Sequence, residues 1–177
     1  PTCLPKYKKD KLINKYQFIE SMQKELKSNS VVVSDAGSTF YVTSQAFQPI
    51  KNQRYITSGA QADMGFTLPA AIGAAFAQKD RMIVGITGDG SFQMNIQELQ
   101  TLIHYKIPVK LVIWNNDGYL SIRQTQKKFF SGREIGTDKN SGVSFPSTKK
   151  IASAYNIPYV SSKSVNTLRK TLSRAFS

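Results

Sequence analysis

The sequence predicts an α/β fold: a three-layer α/β/α domain built on a mostly parallel sheet. Short apolar runs typical of buried strands alternate along the chain with segments whose apolar residues recur at helical spacing. Such alternation implies right-handed crossovers, which produce a parallel sheet with helices on both faces. The 177 residues are enough for one substantial core, and no linker, repeat or low-complexity tract divides them. We therefore expect residues 1–177 to form a single domain.

Each predicted element rests on a local pattern. Four apolar residues at helical spacing predict an amphipathic first helix over Asn14–Lys27. Because proline is tolerated in the first turn of a helix, Pro69 predicts the start of another one. In chain order, the later elements are strands at Val31–Val33 and around Ile56, a helix at Pro69–Gln78, a strand at Met82–Thr87, a helix from Asn95 to Tyr105, a strand at Val109–Trp114, a helix at Lys149–Tyr155, a short strand at Pro158–Ser161 and a closing helix at Val165–Phe176.

Three segments carry further local predictions. The alanines and Gly73 of the Pro69–Gln78 helix indicate close packing against the sheet. Asn95 and Glu98 have the spacing of a capping box at the start of their helix. The polar stretch with glycines at positions 132, 136 and 142 is typical of a loop, which we expect to be mobile.

Composition and charge exclude several classes of protein. The formal charge is +13, from 24 Lys and Arg against 11 Asp and Glu, but the basic residues are spread over the chain. No zinc-finger spacing, aromatic RNP pattern or GXXG loop accompanies them, so we predict a solvated basic surface and no nucleic-acid partner. An anionic small ligand is also compatible with this charge. The apolar runs fall far short of the roughly 18 residues of a membrane span, so no membrane partner is predicted.

The only cysteine, histidine and tryptophan of the sequence do not indicate a further functional site. A lone cysteine, Cys3, leaves no intrachain disulfide or cysteine zinc site and favours a reducing compartment, so the predicted location is cytoplasmic. His104 lies near the predicted end of a helix, where a cation suits the helix dipole, and is interpreted as structural. Trp114 lies inside a strand and is predicted to belong to the core. The chain begins with Pro1, which suggests a piece of something longer.

Polar, glycine-containing segments follow three of the predicted strands. They are Asp35–Ser38, Gly88–Ser91 and Asn115–Gly118. Taken singly, each is typical of a tight turn. Because the carboxyl ends of parallel strands meet at one edge of the sheet, we expect the three segments to converge there. An aspartate and an asparagine offer hard oxygen ligands, and glycine lets backbone N–H groups approach a phosphate, so the combination predicts a metal-bound diphosphate.

The two later segments match a known motif. Gly88-Asp89-Gly90, followed by 24 residues and then Asn115-Asn116, resembles the thiamine diphosphate-binding motif of thiamine-dependent enzymes. Three further blocks resemble the C-terminal diphosphate-binding domain of the acetolactate synthase family: Asp35–Ser38, Ser58–Phe66 and Leu68–Gly73. The resemblance extends from about Asn14 to Ile157 and implies the thiamine diphosphate-binding fold, with thiamine diphosphate and Mg²⁺ as cofactors.

The resemblance also implies individual roles. Asp89 and Asn116 are expected to give side-chain oxygens to Mg²⁺, and Gly118 its carbonyl. Met64 is expected to hold the two cofactor rings in a V, while the Ala62 carbonyl accepts from the aminopyrimidine amine. The full set of residues expected at the cofactor is Ala36, Gly37, Ser38, Thr39, Ala62, Met64, Gly88, Asp89, Gly90, Ser91, Asn116, Gly118, Tyr119 and Leu120.

The resemblance implies only half of an active site. In the family, the glutamate that protonates the aminopyrimidine lies on a separate pyrimidine-binding domain of another subunit, so no catalytic residue is predicted in this chain. None of its candidates, Glu20, Glu25, Glu98 and Glu134, matches that context. We therefore expect a fragment of a longer enzyme, inactive alone, that pairs in a homodimer or homotetramer. An absent domain is a possible site for FAD.

Some positions depart from the acetolactate synthases. The chain has Ala60-Gln61-Ala62 in place of Gly-Leu-Gly, Leu120-Ser121 in place of Gly-Met, and Thr125 in place of a tryptophan. These changes indicate a more open or more polar acceptor pocket. The segment from Arg123 to Phe130, with Arg133 after it, either recognises a larger or anionic acceptor or is an ordinary surface helix and loop.

Three functions remain open at this point. The first is decarboxylation of a 2-oxo acid such as pyruvate, with transfer of the two-carbon unit to a carbonyl acceptor by a carboligase, that is, a transferase. The second is simple decarboxylation that releases an aldehyde, as in a lyase. The third is a non-catalytic basic binding module with the same fold.

Overall fold

The computed structural model describes residues 12–177, which form one parallel four-stranded sheet between helices. The strand order is β2-β1-β3-β4, and each neighbouring pair is parallel. The elements of this part of the chain are α1 (Lys15–Gln23), β1 (Val31–Ser34), α2 (Gly37–Ala46), β2 (Arg54–Thr57), α3 (Thr67–Ala77), β3 (Ile83–Gly88), α4 (Asp89–Gln93), α5 (Leu99–His104), β4 (Val109–Trp114), α6 (Leu120–Phe129), α7 (Thr148–Ala154) and α8 (Val165–Phe176), with 3₁₀ turns at Ile96–Glu98 and Lys139–Ser141.

The helices cover both faces of the sheet because the strands are apolar on both sides. On β1, Val32 points to the face covered by α1, α2 and α8, whereas Val31 and Val33 point to the face covered by α3. Helices α5 and α7 extend the second face over β4. Burial of this kind contributes roughly 1.5–3 kcal/mol for each large apolar side chain. The three-layer α/β/α prediction is therefore confirmed.

Most predicted elements are present, with shifted ends. Helix α8 has the predicted bounds, and β1, β3 and β4 agree to within a residue or two. Helix α1 ends at Gln23, four residues early, and α3 begins at Thr67, two residues before Pro69. Helix α2 was not predicted, because serine and threonine make up much of its buried face and leave no apolar periodicity.

Two predictions about secondary structure are wrong. Residues 158–161 pair with no strand of the described chain, since Pro158 has no N–H to donate to a ladder. The capping box is absent, because the side-chain amide of Asn95 donates to the Gly65 carbonyl at 2.7 Å instead. Glu98 Oε2 accepts from the hydroxyl of Thr101, and the segment starts as a 3₁₀ turn.

The glycine of α3 is also placed differently from the prediction. Gly73 is exposed, and a Cβ built on it meets no atom within 4 Å. The close contact between α3 and the sheet comes from Gly85 on β3, where a Cβ would lie 2.8 Å from the Thr67 side chain. Thr67 reinforces this contact by donating from Oγ1 to the Ile86 carbonyl.

The stretch predicted as a loop contains regular structure. Helix α6 occupies its first part, and a genuine capping box between Asp138 and Ser141 orders the second 3₁₀ turn. Trp114 is buried, as predicted, and His104 ends α5 on the surface. Cys3 and the basic run at residues 6–11 lie outside the described residues. No helix of residues 12–177 is long and apolar enough to cross a membrane.

Candidate functional site

The predicted convergence of the strand ends is confirmed, and it is organised by a buried carboxylate. Asp35, at the end of β1, has no exposed surface. Its Oδ1 accepts from the Ala36 N–H at 2.7 Å and from Thr39 Oγ1 at 2.9 Å. Its Oδ2 accepts from Thr87 Oγ1 at 2.7 Å and from Ser91 Oγ at 2.5 Å. Asp35 therefore joins β1 and α2 to β3 and α4.

A second carboxylate, Asp89, joins β3 to the turn after β4. Its Oδ2 accepts from the backbone N–H groups of Asn116 at 2.9 Å and Gly118 at 3.1 Å, and its Oδ1 accepts from Gly90 at 3.0 Å. Burial raises the pKa of this carboxyl above its ordinary value. The three N–H groups act in the opposite direction, while the charge of Asp117 raises the pKa further.

The three residues predicted to hold a metal lie together, because Asp89 at the start of α4 contacts the turn that contains Asn116 and Gly118. The amide side chain of Asn116 makes no hydrogen bond with any described residue, and the carbonyl of Gly118 accepts only from the Leu120 N–H, at 3.2 Å. No group of three His, Cys, Asp or Glu side chains clusters anywhere in residues 12–177. One carboxylate, one amide and one carbonyl are hard oxygen donors, which fit Mg²⁺ completed by phosphate oxygens rather than a zinc site.

The turn at residues 116–118 is held in place by Thr137 and Arg123. Gly118 has a φ of 126°, and a Cβ there would lie 2.0 Å from the Thr137 carbonyl oxygen, so glycine is required. The same carbonyl accepts from the Tyr119 N–H at 2.8 Å. Arg123 donates to the Asn116 carbonyl at 3.0 Å and pairs with Asp138 at 3.3 Å. The guanidinium of Arg123 thus contacts residues 116–118, the turn predicted to bind metal and called the metal turn below, whereas Arg133 is exposed.

The predicted diphosphate-binding hydroxyls are not equivalent. Thr39 Oγ1 lies within hydrogen-bond distance of Asp35 and of the Ala36 carbonyl, and Ser91 donates its proton to Asp35. Both hydroxyls are therefore turned inward, and these residues offer an anion only their backbone N–H groups. Ser38 differs, because its Oγ accepts from Lys15 Nζ at 2.8 Å and keeps its own proton to donate.

Sequence reasoning missed Lys15. It is the first residue of α1, is half-buried, and places Nζ 5.5 Å from the centre of the Trp114 ring as well as against Ser38. Burial lowers the pKa of Lys15 to about 8, and the charge of Asp89 acts against that shift. No local pattern identifies it, because a lysine at the start of an amphipathic helix is usually solvated and Ser38 is 23 residues away.

The segment with Ala62 and Met64 is fastened beside α4. The Gly65 N–H donates to Ser91 Oγ at 2.7 Å, and the Gly65 carbonyl accepts from Asn95. Met64, the predicted wedge, is half-buried next to this anchored residue. Ala62 has a φ of 52°, in the left-handed region that glycine adopts more easily.

The two remaining predicted contacts lie at the start of α6. A Cβ on Gly90 would lie 2.4 Å from the Tyr119 ring, which also meets Phe145 edge to face at 5.5 Å. Leu120 begins α6, and the next residue, Ser121, lies close to Gly37 at the start of α2. A Cβ at Gly37, Gly90 or Gly118 would meet neighbouring atoms at 3.1 Å or less. The predicted diphosphate site formed by the segments after β1, β3 and β4, called the cradle below, therefore depends on glycine.

Comparison with known proteins places this site in a family. The profile described as "Thiamine pyrophosphate enzyme, C-terminal TPP binding domain" matches residues 35–177. The acetolactate synthase large subunit of Haemophilus influenzae is 33% identical over 175 residues, which cover 99% of this chain and 30% of that protein. The acetolactate synthase isozyme 3 large subunit of Escherichia coli K12 is 37% identical over 137 residues, or 77% of this chain and 23% of that protein.

A solved structure gives the same result for the fold. The thiamine diphosphate-dependent 4-hydroxybenzoylformate decarboxylase of Rhodococcus jostii RHA1 superposes with a TM-score of 0.80 at 25% identity. The match covers 94% of this chain and 31% of that one. The chain therefore spans less than a third of the length of each of these relatives.

Proposed function

Since this chain belongs to the thiamine pyrophosphate enzyme family, as its C-terminal TPP-binding domain, we propose that its strand-end site holds thiamine diphosphate through Mg²⁺. One observation supports the magnesium part of this proposal: Asp89 accepts from the backbone N–H groups of both Asn116 and Gly118, which holds the three expected ligands next to one another. The other expected contacts, Gly37, Ser38 and Gly90, lie at the neighbouring strand ends.

The residues of this chain bind and orient the cofactor. Asp89, Asn116 and the Gly118 carbonyl would hold the metal, and Ser38 would donate to the diphosphate. Met64 and the Ala62 carbonyl would contact the rings, held in place by the anchored Gly65. When bound, thiamine diphosphate supplies the nucleophilic carbon that attacks a 2-oxo acid and the electron sink for loss of CO₂.

We further propose a carboligase, which transfers the two-carbon unit of a pyruvate-like 2-oxo acid to a carbonyl acceptor. The acetolactate synthases are more similar in sequence, at 33% to 37% identity, than the decarboxylase at 25%. A lyase that releases an aldehyde is the second candidate, because that structural relative is a decarboxylase. The departures at Ala60-Gln61-Ala62, Leu120-Ser121 and Thr125 indicate an acceptor different from that of the synthases.

The proposal includes a second chain. Glu98 is hydrogen-bonded to Thr101, and Glu134 is paired with Lys127, so neither is directed at the strand-end site. We propose that the activating glutamate comes from a pyrimidine-binding domain of another subunit, in a cytoplasmic homodimer or homotetramer. Whether that assembly binds FAD does not affect the chemistry proposed for this chain.

The test is a calorimetric titration of thiamine diphosphate into the full-length gene product, with and without Mg²⁺. We expect magnesium-dependent binding that is lost in Asp89→Ala and weak in the isolated chain. No binding to the full-length protein contradicts the proposal and favours the non-catalytic basic module. Product analysis with pyruvate then separates the two enzymes: a carboligase forms a new carbon–carbon bond, to a second pyruvate or to an added carbonyl acceptor, whereas a lyase releases acetaldehyde.

A further inference from the structure

Lys15 reaches the strand-end site from a helix outside it. Its Nζ is 2.8 Å from the hydroxyl oxygen of Ser38, the one predicted diphosphate-binding hydroxyl with a proton free to donate. The ammonium also lies 5.5 Å from the centre of the Trp114 ring, at the end of the strand that leads into Asn116. Lys15 is therefore adjacent to the start of α2 and to the end of β4, the strand that precedes the predicted metal-binding turn.

The ammonium of Lys15 has two donors for which no described residue is an acceptor. An ammonium has three donors, and within residues 12–177 only Ser38 accepts from Lys15. No carboxylate of the described residues pairs with it; the ion pairs found there are Arg123–Asp138 and Lys127–Glu134. A half-buried ammonium with two donors that no described residue accepts is open to a further acceptor, and burial strengthens its attraction to an anion. Asp89 attracts it electrostatically but directs both carboxylate oxygens at backbone N–H groups.

The charge of a diphosphate also favours a cation at the position of Lys15. A diphosphate ester carries more negative charge than one divalent cation neutralises, so its site gains from a further positive group. The described residues at these strand ends supply the carboxylates of Asp35 and Asp89, amides, hydroxyls and backbone N–H groups, and Lys15 is the cation that touches one of the predicted diphosphate contacts. Arg123, the other nearby cation, is occupied by the Asn116 carbonyl and Asp138.

We propose that the Lys15 ammonium binds the diphosphate of the cofactor, with Ser38 beside it as a second donor. This inference rests on the proposed function, because it takes thiamine diphosphate as the ligand. It assigns to α1, which precedes the segment matched by the family profile, a direct part in cofactor binding.

The experiment uses the full-length protein and calorimetric titration at saturating Mg²⁺. The probes are thiamine diphosphate and inorganic diphosphate, titrated into wild type, Lys15→Gln, Lys15→Met and Lys15→Arg. Lys24→Gln is the matched control, because Lys24 caps the other end of the same helix and is exposed. Thermal unfolding of each cofactor-free variant provides a readout that is independent of binding.

We expect Lys15→Gln and Lys15→Met to weaken binding of both probes about 10- to 100-fold, the range for loss of one hydrogen bond to a charged group. Lys15→Arg should keep most of the affinity, and Lys24→Gln all of it. Because burial disfavours the charged form of Lys15, the melting temperature of cofactor-free Lys15→Met should equal or exceed that of wild type.

The contrary outcomes are distinguishable. If wild type binds thiamine diphosphate and the Lys15 variants bind it equally well, this inference is wrong and the proposed function stands. If both Lys15→Gln and Lys15→Met melt at lower temperature without cofactor, Lys15 has a structural role and the inference is also overturned. Absence of binding to wild type overturns the proposed function itself, and this inference with it.

Discussion

The hydroxyl of Ser91 donates to Oδ2 of Asp35 across a distance of 2.5 Å, and so connects α4 to the end of β1. The hydroxyl oxygen of Ser91 also accepts from the Gly65 N–H at 2.7 Å, which connects α4 to the segment that carries Met64. One small side chain therefore fixes the geometry between the predicted diphosphate cradle and the predicted ring wedge. Its importance is positional, since no proton of this hydroxyl remains for a ligand.

Replacing Ser91 by alanine should therefore lower stability. The change removes one of four hydrogen bonds to a fully buried carboxylate and leaves the Gly65 N–H without its partner. We expect a loss of about 2–3 kcal/mol in the free energy of unfolding, measured by urea denaturation. Ser153→Ala, on the exposed side of α7, is the control and should change stability little. An unchanged midpoint for Ser91→Ala would show that the two hydrogen bonds contribute nothing.

Gly118→Ala should abolish magnesium-dependent cofactor binding. The new Cβ would overlap the Thr137 carbonyl at 2.0 Å, and a φ of 126° is unfavourable for alanine, so the turn that carries the proposed metal ligands must move. The measurement is Mn²⁺ or Mg²⁺ affinity in the presence of thiamine diphosphate. Gly73→Ala is the matched control: its Cβ meets nothing within 4 Å, and the helix should gain about 0.5–1 kcal/mol. Equal metal affinity in both variants would contradict the role assigned to the turn.

Ala62→Gly should stabilise the protein. An alanine in the left-handed region, at a φ of 52°, costs roughly 1–2 kcal/mol, of which the greater chain entropy of glycine offsets about half. We expect a net gain of about 0.5–1 kcal/mol in the free energy of unfolding, from chemical denaturation. A lower stability would indicate that the methyl group of Ala62 makes a favourable contact that outweighs the backbone strain.

Arg123→Ala should weaken metal binding and leave recognition of the acceptor unchanged. Its guanidinium donates to the Asn116 carbonyl and pairs with Asp138, so its loss loosens the metal turn by about 1.5 kcal/mol, or roughly tenfold in Mg²⁺ affinity. Arg169→Ala, on the exposed side of α8, is the control. The opposite pattern, an increased KM for the acceptor with unchanged Mg²⁺ affinity, would favour the earlier hypothesis that Arg123 recognises an anionic acceptor.

The stability of the cofactor-free protein should depend on pH through Lys15. Its pKa is about 8 in the folded chain against an ordinary value of 10.5, so between these values the unfolded chain binds more protons. The contribution of Lys15 to the free energy of unfolding therefore rises from pH 8 to 10.5. Subtracting the profile of Lys15→Met from that of wild type isolates this slope. A flat difference would show that the ammonium is solvated in the absence of cofactor.

Several features could be predicted because they depend on short-range pattern. The bounds of α8 follow from its helical spacing, and the meeting of Asp35, Asp89 and Asn116 follows from their place after three parallel strands. Helix α2 could not be found in this way, because Gly37 and the serines and threonines after it are typical of a turn when considered alone.

The remaining errors involve partners that are distant in sequence. Asn95 and Glu98 satisfy the capping-box spacing, but Asn95 finds Gly65 thirty residues earlier, and that contact decides its orientation. Lys15 is similar, since its environment is set by Ser38 and Trp114 after the chain has folded. Spacing rules describe residues that are close along the chain, and they do not determine which of several polar groups distant in sequence a side chain will bind.

The parallel topology has a consequence for how the protein folds. Residues 56 positions apart, Asp35 and Ser91, must meet before the cradle exists, and Asp89 must then find a turn 27 residues later. Closing such long crossovers is entropically slow, as in other parallel sheets. An intermediate with only β1 and β2 paired has Gly37 and Ser38 but lacks Asp89 and the turn with Asn116 and Gly118, so its cofactor site is incomplete. A ligand that binds only the completed sheet stabilises the native state and not the early intermediates. Thiamine diphosphate should therefore slow unfolding and leave the rate of the first folding steps unchanged.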